Sequence, residues 1–537
     1  MTVPRTPASD AVARWLRRAC TLDLRSLAVF RVGIGMLVTA DALLRSRDVF
    51  WMFAPEGMFP LAVLRRYLGD PCAWSLATVV DASWCGPAIL TLEAVAGVLL
   101  AAGCGTRLAT GVAWLAVVSV LRRTAPATNA GDAWLACLLF WGMFLPLGSV
   151  WSWDHWQGRR LQRTLEHTLD TRDGQRAAAG RETTAVWSAA TAALVLQIAV
   201  VYLSAGLSKW NDSWLSGDAV RFAMSVHDHG TPLGEWLVGS GWIAGLLSRI
   251  VPALEILGPL ILIAVPVARV RGSVVALFLG FHMATCTTMT VGLFSYVGLA
   301  AWLALLPGEA WDRLSPPGEP RRSQSPATLA TAARASGRQA AIWTGAAAGI
   351  LALISLVHDI TPWRNVPLPR TISSLINLVC MHQEWSMFGR VERQEQWVYA
   401  RAERADGRVI DLLRSGRPIE TERPAGGFTS LPNNRWHKLF WVLPRPQQRV
   451  FAPDIARTLA EHWNARHPAA ERVVAVEIRF ARLGLTAADN TLHELLLAAW
   501  PPRNNDGRGN LERLLKDTAP SPGPAAGDHQ ADVSTVD

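Results

Sequence analysis

The stretch VYLSAGLSKWNDSWLSGD, from Val201 to Asp218, places a lysine where an apolar run turns polar. Of the 52 Lys and Arg residues, only three are lysines: Lys209, Lys438 and Lys516. An amine differs from a guanidinium in one chemically useful respect. Once desolvated its pKa falls, by up to about 3–5 when fully buried, and it can then accept a proton. A guanidinium stays charged. Lys209 therefore has the right type for a general base. The competing reading is a lysine that snorkels from a helix end to the membrane interface. Spacing alone leaves both open.

A second motif, GFHMATCTTMTVGLFSYVGLAAW, sets His282 in an apolar run. Thr285, Thr287, Thr288 and Thr290 follow, then Gly292, Phe294, Ser295 and Tyr296. A lone histidine often only packs between helices. With a polar stripe and rings beside it, the pattern suits the floor of a pocket for an aromatic ligand. Gln197 and Tyr202 precede Lys209 in its run, and Trp210 and Trp214 follow it. Charges also fall within apolar runs: Arg31 and Asp41 in LAVFRVGIGMLVTAD, then Glu93 and Glu255. Such charges are costly unless they meet a partner or water. Salt bridges between helices and a polar cavity both satisfy that need. Asn129 and Asp132 open TNAGDAWLACLLFWGMFLPLG, where they either cap a helix or meet the loop that carries Lys209. His227, Asp228 and His229 have no third ligand nearby in sequence, and the seven cysteines show no zinc spacing, so no metal is expected. A disulfide between two of Cys72, Cys85 and Cys380 is one option on an oxidising side.

The elements that hold these residues are set by composition. The chain has 537 residues, 50% hydrophobic and only 18% charged. A soluble domain is nearer 25% charged. Nine apolar runs read as spans, at about 27–45, 87–104, 106–121, 132–150, 187–207, 246–267, 272–289, 291–307 and 340–357. The pair 272–289 and 291–307 has almost no loop, which suggests a re-entrant or broken helix. With a cytoplasmic N-terminus the inner segments hold 19 Lys and Arg and the outer ones eight, so the positive-inside rule favours that orientation. The net charge of +9 then concerns topology, and nucleic acid is not an expected partner. After residue 362 the texture changes. WVYARAERADGRVIDLL reads as strand, turn, strand; 451–467 as an amphipathic helix; ERVVAVEIRFARL as a strand.

The expected fold is an all-α polytopic membrane domain of about eight or nine transmembrane helices, then a small α+β extracytoplasmic domain. The divisions are 1–26, a cytoplasmic segment; 27–310, the transmembrane domain; 311–339, a cytoplasmic linker; 340–362, the last span; 363–500, the α+β domain; and 501–537, a disordered tail.

Four motifs, in order, resemble the membrane domain of the vitamin K-dependent gamma-carboxylases and, more broadly, the HTTM (horizontally transferred transmembrane) family. The first is Ala28-Val29-Phe30-Arg31 with Gly35 and Asp41. The second runs from Asn129 to Trp151-Ser152-Trp153-Asp154, and the third from Gln197 through Lys209-Trp210 to Trp214. The fourth joins Phe281-His282 to Gly292-Leu293-Phe294-Ser295-Tyr296-Val297. The resemblance covers about 25–310. It implies that Lys209 takes the place of the base that deprotonates a reduced vitamin K-type quinone. It places His282 near the quinone, and it implies reduced menaquinone or a similar hydroquinone, oxygen and carbon dioxide as reactants, with no metal. Ser208 stands where the carboxylase has a further lysine. The long lumenal region of the carboxylase has no counterpart up to residue 537, and the QEWSMFG segment (Gln383 to Gly389) looks like the start of the domain appended in bacterial HTTM proteins. This favours quinol oxygenation or epoxidation, as in a quinone-dependent oxygenase or carboxylase-like lyase, over carboxylation of a peptide. Two other readings stay open: a non-catalytic membrane protein that binds or matures an exported peptide, and a transporter.

Overall fold

The structure, a computed structural model, describes residues 7–70, 72–169, 184–314, 349–350, 354, 368–381, 384–420, 422–424, 426–485 and 490–502. The chain opens with an amphipathic helix, α1 (Pro7–Cys20), whose Trp15 indole donates to the Ala264 carbonyl at 3.3 Å. Two short strands, β1 (Leu22–Asp23) and β2 (Ala185–Val186), then pair antiparallel. The segment before the first span is thus ordered against the bundle from residue 7.

Apolar runs become helices where the sequence places them. Those of membrane length and hydropathy among the described residues are α2 (Leu24–Ser46), α3 (Cys85–Ala102), α7 (Ala189–Ser208), α8 (Gly241–Ala264) and α9 (Ala268–Thr288), five in all. Three of the other expected spans fall outside that set. α4 (Thr106–Arg123) carries Arg107, Arg122 and Arg123. α5 (Ala130–Gly142) ends well before residue 150. Pro146 cannot continue a helical ladder, and the chain turns there, with Trp151 at φ 50°. α10 (Phe294–Leu303) follows α9 across a turn in which Gly292 takes φ 61°. Its ten residues rise only about 15 Å, against a hydrocarbon core of about 30 Å. A helix that stops inside a membrane must be covered by protein, and Ser295, Val297, Gly298, Ala300, Ala301 and Trp302 are buried. The span expected at 340–357 lies outside the described residues except for 349, 350 and 354. Residues 315–339 of the linker and the tail beyond 502 lie outside them too.

Between these, α6 (Trp153–Leu169) is polar and starts at the turn that follows α5. The crossing of α2 and α3 rests on two glycines, Gly35 and Gly97. A Cβ on Gly97 would lie 2.5 Å from the Thr39 hydroxyl and 2.8 Å from the Gly35 carbonyl oxygen. That close approach aligns Glu93, one turn before Gly97, with Asp41.

The C-terminal part forms a five-stranded antiparallel sheet, with β3 (Gln394–Arg404), β4 (Val409–Asp411), β5 (Arg417–Pro418), β6 (Val473–Gly484) and β7 (Leu492–Trp500) in the order β5-β4-β3-β6-β7. Gly407, at φ 80°, makes the turn from β3 towards β4. Three helices accompany the sheet: α11 (Arg370–Leu378), α12 (Asn434–Val442) and α13 (Ala452–Asn464). Ile455, Ala456, Leu459 and Ala460 give α13 the apolar face that packs on β6 and β7. This part shares a core with the helices. Met52, Phe59, Ile89 and Ala116 belong to the same buried cluster as Val398, Trp436, Phe440 and Ile455. All seven cysteines are free, so Cys72, Cys85 and Cys380 form no disulfide.

Candidate functional site

Lys209 caps the C-terminal end of α7 and is only 3% exposed. Its amine does not run out to the surface as a snorkelling lysine would. It donates to Glu255 Oε2 at 2.8 Å and to the Ala205 carbonyl at 3.3 Å, and lies 5.4 Å from the centre of the Trp214 ring. Glu255 comes from α8, between Pro252 and Pro259. Gly206 lets the two helices meet: a Cβ there would be 2.7 Å from Ile256 Cγ1 and 3.0 Å from Glu255 Cβ. A glycine in an apolar helix interior costs about 0.5–1 kcal/mol relative to alanine, and here it makes room for an ion pair.

About two turns earlier on α7, roughly 10 Å along its axis, the Tyr202 hydroxyl meets His282 Nε2. Both residues are buried. Again a glycine makes way, since a Cβ on Gly298 would lie 2.2 Å from the His282 ring. Rings enclose this pair. Trp134 sits at their centre, 5.8 Å from Tyr202, 6.3 Å from His282, 5.5 Å from Phe294 and 6.5 Å from Trp385, between ring centroids. Phe278 stacks on Trp302 at 4.0 Å behind Tyr202. Gln197 is buried and accepts from the Trp141 indole at 3.3 Å. Ser295 is buried in α10.

Three threonine hydroxyls of the polar stripe donate within their own helix. Thr285 bonds the Phe281 carbonyl at 2.8 Å, and Thr287 and Thr288 bond the Ala284 carbonyl, so each hydroxyl is spent on its own helix. Trp210 is 66% exposed and Tyr296 49%, and both lie outside the group around Lys209. Trp214 is part of it: its indole donates to the Phe388 carbonyl at 2.7 Å. Asn211 likewise donates to the Gly389 carbonyl at 2.6 Å. The segment 384–389 therefore lies directly on the Lys209 loop, with Trp385 reaching the aromatic nest. No described contact joins Lys209 to His282. The structure holds two separate polar pairs, Lys209–Glu255 and Tyr202–His282, joining α7 and its C-cap to α8 and to α9 respectively.

Of the other candidate acids, Asp41 and Asp132 are ion-paired. Asn129 and Asp132 form a full capping box at the start of α5. Asp132 does not turn towards Lys209. It pairs with Arg45 at 3.3 Å and with Arg435 at 2.9 Å. Asp41 pairs with Arg45 at 2.7 Å and also meets Arg435. Arg435 belongs to α12, and nothing in the sequence marks it apart from the many other arginines. Glu93 completes the cluster at zero exposure. Arg31 is held by the carbonyls of Leu147, Val150 and Trp151 at 3.1, 3.3 and 2.6 Å. Salt bridging is thus what the intramembrane charges do at Asp41, Asp132 and Glu255.

His227, Asp228 and His229 lie at the seam with the C-terminal part. Among the described residues no group of His, Cys, Asp and Glu is placed to hold a metal ion. His227 Nε2 meets the Glu392 carbonyl at 2.9 Å. Asp228 pairs with Arg423. His229 stacks on His437 at 4.6 Å, and His437 on Phe428 at 4.8 Å. Burial pushes His227 and His229 down to about 4, and pushes His437 well below its ordinary value.

The HTTM domain matches residues 134–311 of this chain. No curated protein and no solved structure matches it. The matched stretch contains Trp134, Gln197, Tyr202, Lys209, Glu255, His282 and Phe294, while Asp41, Glu93, Asn129 and Asp132 lie before it.

Proposed function

We propose, from the premise that this is a multi-pass membrane protein whose residues 134–311 form an HTTM domain, that it acts on a reduced quinone with oxygen. The observation that carries the reading is the amine of Lys209, buried and hydrogen-bonded to Glu255 at 2.8 Å in an apolar setting. The proton that Lys209 donates can pass to Glu255, which leaves the amine free to take one more without bringing bulk water in. Aromatic rings cluster around the Tyr202–His282 pair, a lining of the chemical kind that stacks on an aromatic diol. A bound hydroquinone would supply the acidic hydroxyl and the electrons that reduce oxygen. The chain's own residues do the rest. Lys209, with Glu255, takes the hydroxyl proton; Tyr202 and His282 orient the ring; Trp134, Phe294 and Trp385 exclude water. A cytoplasmic N-terminus and an extracytoplasmic C-terminal part belong to the same proposal.

The test is incubation of the purified protein with reduced menaquinone and oxygen, following oxidised or epoxide product. Loss of a positioned base costs about 10²–10⁴-fold, and that loss is expected for Lys209→Ala and for Lys209→Arg alike. Full activity in Lys209→Arg rejects the amine as proton acceptor. No product above the Lys209→Ala background in the wild-type protein rejects the enzyme.

A further inference from the structure

We propose that Glu93 is a proton-binding site, completed when Arg435 of the C-terminal part enters the membrane bundle. Five ionisable side chains meet there from four helices: Asp41 and Arg45 on α2, Glu93 on α3, Asp132 on α5 and Arg435 on α12. All are buried, at 2%, 1%, 0%, 3% and 7% exposure. Three carboxyl groups face two guanidinium groups. Guanidinium groups do not lose their protons in proteins. With every acid ionised, the cluster would keep one unpaired negative charge away from water, which costs several kcal/mol.

The hydrogen bonds say where the compensating proton sits. Asp41 is met by Arg45 and Arg435. Asp132 is met by Arg435 through both oxygens, at 2.9 and 3.2 Å, and by its own capping box. Glu93 has neither. Both its oxygens are fully buried without a hydrogen-bond donor among the described residues, and its side chain faces Asp41. Two carboxylates facing each other have only acceptors to offer. One proton on Glu93, donated to Asp41, satisfies both and brings the cluster to neutrality.

Two other charged residues lie near the cluster, and among the described residues neither forms an ion pair with its members. Asp48 is engaged by the Trp436 indole at 2.9 Å and the Asn433 amide at 2.8 Å. Lys438 lies one turn beyond Arg435, within electrostatic reach of Asp132 and Glu384, and burial lowers its affinity for a proton. The site differs from the Lys209–Glu255 pair in place and in role. It shares no residue with that pair and does not depend on the quinone reading.

Infrared spectroscopy of the full-length protein in lipid nanodiscs tests it through the carbonyl stretch of a protonated carboxylic acid, above the amide I band. The wild-type protein at neutral pH should show the band. Glu93→Gln, isosteric with the protonated acid, should fold and lose it, whereas the exposed Glu420→Gln should keep it. Asp41→Asn removes one negative charge while leaving Glu93 in place, and it too should lose the band because the cluster no longer needs the proton. An unchanged band in Glu93→Gln overturns the assignment. A band lost in Glu93→Gln but kept in Asp41→Asn overturns the charge-balanced site, because burial alone would then hold the proton.

Discussion

The Lys209–Glu255 pair has an energetic signature separate from any activity. Removing one partner of a buried ion pair leaves the other uncompensated and costs about 3–5 kcal/mol. Lys209→Met should lose that much in denaturant unfolding, and Lys209→Met with Glu255→Gln should recover a large part of it. If the double variant is no more stable than the single one, the two groups are not energetically coupled. Lys209 and His282 stand out in the sequence because of scarcity and company. One is one of three lysines, and the other sits in a threonine-rich apolar run. Glu255 was legible only as an intramembrane acid. Its partner is 46 residues away, and a single sequence carries no sign of that pairing. A hydroxyl in an apolar helix can bond the carbonyl one turn back, so a polar stripe need not line anything.

Helices meet in this bundle at glycines. Gly97, Gly206 and Gly298 each stand where a Cβ would strike a neighbouring helix or ring. Overpacking of this kind costs about 1–3 kcal/mol. Gly298→Ala should cost stability of that order and displace the His282 ring, which a shifted imidazole resonance in NMR would report. Gly97→Ala should cost a similar amount, because the atoms it strikes include the Gly35 backbone, which cannot swing away as a side chain can. A thermal melt unchanged from wild type would mean that α2 and α3 separate easily. The existence of the helices was readable from hydropathy, and the strands and α13 of the C-terminal part from alternation and amphipathicity. Lengths were not. Hydropathy sums over a window and does not register that Pro146 ends a ladder or that Gly292 turns the chain, so two apolar runs of full length hold helices of 13 and 10 residues.

At the scale of the whole molecule, the C-terminal part is docked rather than merely tethered. Arg435 enters the acidic cluster, Asp228 meets Arg423, and His229, His437 and Phe428 stack across the seam. The ion pairs among these join residues 195 to 394 apart in the chain, beyond the reach of any local pattern. The stack predicts a pH dependence. An unfolded histidine titrates near 6.5, whereas His227 and His229 do so at about 4 in the fold, lowered by burial. Between those values the unfolded chain binds more protons, so stability is full above about pH 6.5 and falls as pH drops towards 4. Melting temperature should decline across that window, and the decline should flatten in His229→Phe with His437→Phe. An equal slope in wild type and variant would remove the histidines from the account.

The docking of Arg435 also fixes an order of events during synthesis. Asp132 and Arg435 are 303 residues apart. At about 5–20 residues per second, the acids leave the ribosome roughly 15–60 s before the guanidinium that neutralises them. For that interval the nascent bundle must keep its acidic socket protonated, hydrated or outside the lipid. The last third of the chain thus acts as the stopper that lets the first third settle, and insertion of the early helices is not finished until it arrives.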